Sequence, residues 1–387
     1  MTGFSLISPS RVVFGAGRIA ELPAIVSELA PPRSGAGTVL VLSDKGVAGT
    51  GRPAAAATAL SSAGYAARVV DEVPPEPSDR DLDAIAASLK GLGATAIVAI
   101  GGGSVMDAAK VLSALASTGW TTAQLAERGA PSRGAPLVMV PTTAGTGSEA
   151  TPNAIVLFPE RNLKIGIVSP HFIPERVILD PELTLGLPPK LTASTGVDAF
   201  CHLLECFISK KANPASDMMA REGMRMLIDS LPAAYADGTD LEARSATMLA
   251  AYYGGACIAA SGTTAVHALS YPLGGAYRVP HGVANAALLV PVMRYQKARI
   301  APRLAEAARA MGLPPLGGDA AEADALVEHL ASLVARLGIP TSLAALGVPA
   351  AALAELTEAA YGVRRLLDNN PVELTREDIR AIYESAR

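Results

Sequence analysis

TAIVAIGGGSVMDAAK, residues 95–110, joins a continuous apolar run to three glycines and then to an Ala- and Val-rich stretch with helical spacing. Ile and Val without alternation mark a strand covered on both faces. Gly101, Gly102 and Gly103 let a phosphate approach the backbone, while Ser104 and the amides after it offer donors at a helix N-terminus. These four residues are candidate cofactor contacts. The spacing is not GxGxxG, so a glycine turn without any ligand stays open as a reading of this stretch alone. Asp107 falls in the first helical turn, where a carboxylate is favourable with or without a ligand.

Comparable apolar runs lie on either side: RVVFG at 11–15, TVLVLSD at 38–44, AARVVDEV at 66–73 and PLVMVPTT at 136–143. Ala- and Leu-rich stretches between them, such as 79–92 and 104–117, carry helical spacing. Strand and helix in alternation predict a doubly wound parallel sheet. Past LDPELTLGLPPKLTA, residues 179–193, strand-like runs nearly disappear and helical patterns continue to the C-terminus. The expectation is an α/β dinucleotide-binding domain over 1–185 and an all-helical domain over 186–387, with GLPPLGGDA at 312–320 as a surface loop in the second.

Bulk composition agrees with two buried cores: 387 residues, 50% hydrophobic and 18% charged. A formal charge of −4, spread without long single-sign runs, argues against a nucleic-acid partner and against a basic membrane-surface helix. Residues 247–277 contain no Asp, Glu, Lys or Arg and are long enough to span a bilayer. Their Gly, Ala, Ser and Thr content, with His267 and Pro272 inside, predicts instead a buried helix followed by a break. Cys201, Cys206 and Cys257 sit in apolar surroundings and read as reduced thiols. With no basic segment followed by an apolar run at the start, a cytoplasmic protein is expected.

A second loop, VPTTAGTGSEAT at 140–151, again follows an apolar strand and is dense in Thr, Gly and Ser. Asp44 ends the TVLVLSD strand, where a carboxylate can bind the ribose hydroxyls of NAD and repel the extra phosphate of NADP. An ordinary turn aspartate before Lys45 and Gly46 is the competing reading.

Five histidines are present, and three of them group with an aspartate. Asp198 and His202, four apart in GVDAFCHLLE, share one helical face. His267 in TTAVHALS and His281 in RVPHGVAN are separated by Pro272, Gly274, Gly275 and Pro280, so they belong to different segments that can converge. One carboxylate with three imidazoles suits Fe(II) or Zn(II) and suits Ca or Mg poorly. His171 and His329 have no such company and read as structural or solvated. Cys201 lies off the Asp198 and His202 face, which argues against a Cys/His ligand set, and no GxSxG elbow supports a serine hydrolase.

GGGSVMDAAK, PTTAGTGSEAT, SPHFIPERVILDPELTLGLPPKLTASTGVDAFCHLLE and HALSYPLGGAYRVPHGVANA, in this order, resemble the iron-containing (group III) alcohol dehydrogenase family, and the similarity runs from RVVFGAG to LTREDIRAIYESA. The resemblance implies a dehydroquinate-synthase-like fold with the metal in the cleft between an N-terminal dinucleotide-binding domain and an all-α domain. It implies Asp198, His202, His267 and His281 as ligands of Fe(II), with Zn(II) an alternative. Gly101 to Ser104 match the pyrophosphate loop. Thr142, Thr143 and Ser148 match a second nucleotide loop, Lys164 in NLKIGIVSP a lysine near the cofactor ribose, Asn153 a cofactor-side position, and Asp44 the acidic position linked to NAD(H) over NADP(H). The implied reaction moves a hydride between NAD(H) and a small alcohol, aldehyde or ketone whose oxygen is bound to the metal, in a homo-oligomer for which a dimer is expected.

One departure concerns the proton route. Where many alcohol-oxidising members read HALAHPLG, this chain reads HALSYPLG, so Tyr271 replaces a histidine. A phenol, with a reference pKa of roughly 10, is a weaker general base near neutrality than imidazole. Two other functions stay open at this point. A non-redox lyase or cyclase of the same superfold would need more Lys and Arg in the motif regions to hold a phosphate and a carboxylate. A non-catalytic nucleotide- or metal-binding relative would turn over no cofactor with any substrate.

Overall fold

The computed structural model describes residues 3–32, 37–161 and 163–387. The first part of the chain runs β1 (Arg11–Phe14), α1 (Leu22–Leu29), β2 (Thr38–Leu42), α2 (Lys45–Ala48), α3 (Arg52–Ser62), β3 (Ala66–Val70) and α4 (Asp79–Ser88). It continues through β4 (Ala94–Gly101), α5 (Gly103–Thr118), α6 (Thr122–Arg128), β5 (Leu137–Pro141), β6 (Asn153–Phe158), β7 (Leu163–Val168) and β8 (Arg176–Leu179). Helices follow: α7 (Pro189–Ile208), α8 (Pro214–Ala236), α9 (Leu241–Ala260), α10 (Ala265–Tyr277), α11 (His281–Gln296), α12 (Ala301–Ala310), α13 (Asp319–Arg336), α14 (Leu353–Tyr361), α15 (Arg364–Leu367) and α16 (Arg376–Ser385). Two compact units result. One holds Ile7–Thr143 and Ser148–Thr184; the other holds Leu185–Arg387 with Ala144–Gly147 and the segment up to Leu6.

In the α/β unit six parallel strands lie in the order β1-β8-β5-β4-β2-β3. Val39 and Val41 of β2, Val98 and Ile100 of β4, and Val138 and Val140 of β5 share one core with Leu22, Ile25 and Val26 of α1 and Leu60 of α3. Burial on both faces explains why these strands read as unbroken apolar runs. From β2 the chain steps outward to β3, then returns to the other side of β2 as β4. That reversal is a topological switch point, where open α/β sheets bind ligands beyond the carboxyl ends of the strands. Asp44 follows β2 there, and Gly101–Ser104 span the turn from β4 into α5.

The sequence reading missed three strands. β6 and β7 form an antiparallel hairpin of their own, and β6 alternates half-buried and buried residues. β8 is only four residues long, inside a turn-rich stretch, yet it pairs with both β1 and β5.

Beneath the hairpin lies a buried charged group. Lys110 of α5 is fully buried and donates to the carbonyls of Ser148 (2.7 Å) and Asn153 (2.7 Å) and to the hydroxyls of Ser148 (2.8 Å) and Thr151 (3.1 Å). Asp107 accepts from the Ser148 hydroxyl and from the Ile155 amide, with the Lys110 ammonium 3.5 Å away. Glu149, also buried, makes two carboxylates for one ammonium. Burial pushes Glu149 up to about 7 from 4.5, with Lys110 only partly opposing. A carboxyl that stays protonated to higher pH in the folded state than in the unfolded one costs stability as pH rises through that window, on the order of 3 kcal/mol at most. A Glu149→Gln variant is expected to unfold with a flatter pH dependence between pH 5 and 8 and to exceed the wild type in stability at pH 8. Urea midpoints at both pH values check this, and an unchanged slope would count against it.

In the helical unit α7 packs against α8, α9 and α11. The uncharged stretch resolves into the second part of α9, a break at 261–264, and α10, which carries Pro272 within it. Among the described residues no helix is long and apolar enough to cross a membrane. The chain turns between α10 and α11 through Arg278 in the left-handed region (φ 53°). Gly282, in the first turn of α11, lies so close to α7 that a Cβ there would sit 2.3 Å from the Ser194 carbonyl oxygen. That contact seats α11 directly beside the helix that carries Asp198. The 312–320 stretch links α12 to α13, with Leu316 exposed.

Candidate metal centre and nucleotide loops

Asp198 and His202 project from α7, His267 from the first turn of α10, and His281 is the first residue of α11. The Nε2 atoms of His202, His267 and His281 each lie 3.6 Å from Asp198 Oδ1, and the four candidate ligand atoms all fall within 4.8 Å of one another. The rings of His202 and His267 stack with centroids 4.7 Å apart, and that of His281 meets His267 edge-on at 5.2 Å. Asp198, His202 and His267 are buried; His281 is half-buried.

Electrostatics favour a cation here. Burial opposes a charged Asp198, but the imidazoles of His202, His281 and His267 hold its carboxyl well below the ordinary range. Burial lowers His202 to about 4, so its lone pair is free at neutral pH. Burial also works against a charge on His267, yet the Glu205 and Asp198 carboxylates override it and raise the ring to about 9. Asn285, four residues beyond His281, donates its Nδ2 to Asp198 Oδ1 at 2.7 Å and lies 3.1 Å and 3.3 Å from the Nε2 atoms of His267 and His281. Its Oδ1 is buried with no hydrogen-bond partner. Three imidazole nitrogens and a carboxylate oxygen converging on a point that attracts protons and an amide edge form a donor set that fits Fe(II) or Zn(II).

Sequence reasoning missed Glu205 and Asn285. Glu205 was legible as a third residue on the Asp198 and His202 face, seven and three positions away. Asn285 follows His281 by one helical turn in the same way.

The nucleotide candidates gather in the α/β unit. A Cβ at Gly102 would lie 3.4 Å from a methyl of Thr143, and the Thr142 amide donates to the Gly101 carbonyl, so the two loops abut. Gly101 has no alternative: a Cβ there would lie 2.5 Å from a methyl of Val105. The Ser104 hydroxyl accepts from the Glu76 amide (3.0 Å), and Lys164 pairs with the Glu76 carboxylate at 2.6 Å. Glu76, in the left-handed region at φ 50°, thus joins two candidates that are far apart in sequence. Asp44 caps α2, its Oδ1 accepting from the Val47 amide at 2.9 Å. Asp107, Ser148 and the Asn153 carbonyl belong to the buried Lys110 group, which supports the loop from below. Tyr271 is buried, with its ring 6.0 Å from that of His281. His171 and His329 lie outside the four-ligand group.

Residues 9–181 match the family described as iron-containing alcohol dehydrogenase, and residues 192–387 match the Fe-containing alcohol dehydrogenase family, C-terminal. The chain belongs to the iron-containing alcohol dehydrogenase family. It is 35% identical over 391 residues to long-chain-alcohol dehydrogenase 1 of Geobacillus thermodenitrificans (strain NG80-2), covering 98% of this chain and 97% of that one. It is 30% identical over 388 residues to the NAD-dependent methanol dehydrogenase of Bacillus methanolicus, covering all of both. The crystal structure of a 1,3-propanediol oxidoreductase superposes with a TM-score of 0.94 at 32% identity over the whole of both chains. The fold is the dehydroquinate-synthase-like fold of that family, and the function is metal-dependent hydride transfer between a nicotinamide cofactor and an alcohol or aldehyde.

Proposed function

We propose that this member of the family is an NAD(H)-preferring dehydrogenase or aldehyde reductase for small substrates, with Asp198, His202, His267 and His281 holding the metal. The observation that carries the reading is the convergence of three Nε2 atoms on Asp198 Oδ1. When bound there, a divalent ion supplies Lewis-acid polarisation of the substrate oxygen, and the nicotinamide supplies the hydride chemistry.

Gly101–Ser104 sit at the switch point where backbone amides can receive a pyrophosphate. Thr142 and Thr143 extend that surface, and we assign Lys164, paired with Glu76, to the cofactor ribose. Ser148, Asn153 and Asp107 shape the loop. Asp44 supports NAD over NADP by its place at the end of β2, where a carboxylate accepts from ribose hydroxyls and repels a phosphate. The catalytic assignments are His267, as a ligand, and Tyr271. Since Tyr271 is buried against His281, we assign it the shaping of the substrate pocket rather than an obligatory proton transfer. A Tyr271→Phe variant is then expected to keep the wild-type pH–rate profile, and loss of one limb of that profile would return the proton role to the phenol.

The exposed apolar side chains Phe4, Leu6 and Ile7 near the N-terminus support a homo-oligomer, in the simplest case a dimer. Three buried free thiols support a reducing, cytoplasmic setting. The assignment of 1–185 to the cofactor and 186–387 to the metal follows the same division of labour.

Metal analysis of the purified protein, with NADH and NADPH oxidation against short aldehydes and keto acids, tests the reading. Bound iron or zinc, turnover faster with NADH, and loss of turnover after chelation are expected. A metal-free, inactive protein would move the reading to a non-redox or non-catalytic relative.

A further inference from the structure

Glu205 is fully buried on α7 and does two things with one carboxylate. Its Oε1 accepts from the Thr264 amide (3.0 Å), the Thr264 hydroxyl (2.8 Å) and the Val266 amide (2.8 Å) at the start of α10. The Thr264 side chain makes no capping bond to its own helix, so Glu205 caps α10 from another helix. Its Oε2 accepts from Nδ1 of His267.

We propose that Glu205 is the positioning residue of the metal centre: it fixes the His267 tautomer so that Nε2 presents its lone pair to the ion, and it supplies the second negative charge that neutralises a buried dication. This rests on the reading that the four-ligand group holds a divalent metal. Asp198 is the only anion among the four ligands, so a dication held by them alone would leave a net positive charge in a buried site, which is costly. With Glu205 the charges cancel. A histidine whose outer nitrogen donates to a carboxylate is also a more basic ligand than one that donates to a carbonyl. Because α7 carries Asp198, His202 and Glu205 on one face, the same carboxylate ties the helix with two ligands to the helix with the third.

The test separates this role from simple capping. Zn(II) affinity of the metal-stripped full chain is measured by competition with a chromophoric chelator, and the visible spectrum is recorded with Co(II) in place. Glu205→Gln is isosteric and keeps an oxygen for the α10 amides, but it no longer offers a carboxylate to Nδ1. It is expected to bind Zn(II) about 10- to 100-fold more weakly and to shift the Co(II) bands, with partial recovery in Glu205→Asp. Thr264→Val removes one donor to Oε1 and leaves Oε2 alone, so it should lower the melting temperature while leaving Zn(II) affinity at the wild-type value. Wild-type affinity and spectrum in Glu205→Gln would overturn the proposal, as would equal weakening by Thr264→Val. Should Glu205→Gln fail to fold, Glu205→Asp takes its place, and affinity no lower than that of Thr264→Val overturns the proposal. A wild-type chain that takes up neither ion would instead overturn the metal reading, and the proposal with it.

Discussion

An Asp198→Asn variant is expected to purify with little or no bound metal and to lose turnover by about a thousand-fold or more, the equivalent of roughly 4 kcal/mol of lost charge stabilisation. The substitution leaves shape intact. Asn285 donates to Asp198 Oδ1, and an amide oxygen at the same place can still accept that bond. What disappears is the anion to which all three Nε2 atoms are equally close, at 3.6 Å. Three neutral imidazoles facing a dication in a buried site hold it far less well than three imidazoles and a carboxylate, because the ion's lost hydration is no longer offset by an opposite charge. Elemental analysis, circular dichroism and single-substrate kinetics are sufficient. Full metal occupancy in a correctly folded variant would show that Asp198 is not a ligand.

This site was partly legible in the chain, and the legible part has a physical reason. Asp198 and His202 declare themselves through a four-residue spacing that a helix converts into proximity. The β4 turn and α5 declare themselves because a strand buried on both faces must be continuously apolar and because Gly101 tolerates no Cβ. His267 and His281 come from separate helices: the seating of α11 on α7 at Gly282, a contact between residues 88 apart in sequence, brings His281 to Asp198, and Glu205 of α7 holds the start of α10, with His267, beside it. Residue type and spacing group the two histidines with Asp198 and His202 in the sequence but leave their convergence open, and the family resemblance adds the ligand roles. Glu205 and Asn285 carried a helical-spacing signal, but a Glu among apolar residues reads as a solvated edge until α10 is seen to bury it. β6 alternates in burial as an ordinary half-buried strand does, yet it directly follows a glycine-rich loop and lies outside the six-stranded sheet, pairing with β7 and meeting Ser78 through a single bridge at Leu157. The return of Ala144–Gly147 to the helical unit has no local signal at all, since chain crossings are decided by tertiary contacts.

Lys110 shows how far such invisible contacts reach, and Lys110→Met is expected to destabilise the α/β unit by about 4 kcal/mol, the range found on breaking a buried ion pair from one side. In the sequence it is an ordinary helix lysine. In the structure it is fully buried, burial lowers its pKa, and Asp107 and Glu149 act in the opposite direction to keep it charged. Methionine fills much the same volume but leaves two carbonyls without their donor and Asp107 without its cation. Each orphaned polar group adds to the cost. The loss should be specific in its chemistry: Asp107→Asn combined with Lys110→Met removes the nearer of the two carboxylates left without a cation and is expected to be more stable than Lys110→Met alone, a coupling that urea unfolding of the four-member cycle measures directly. It should also reach the cofactor. The ammonium holds residues 148–153, which carry Ser148 and Asn153, against α5, and α5 begins at the glycine turn. NADH affinity measured by fluorescence is therefore expected to fall in Lys110→Met and to recover in part in the double variant. A stability loss below about 1 kcal/mol, within the range of ordinary surface substitutions and small adjustments, would mean that the pair is replaceable by apolar packing and that the loop is held by other contacts.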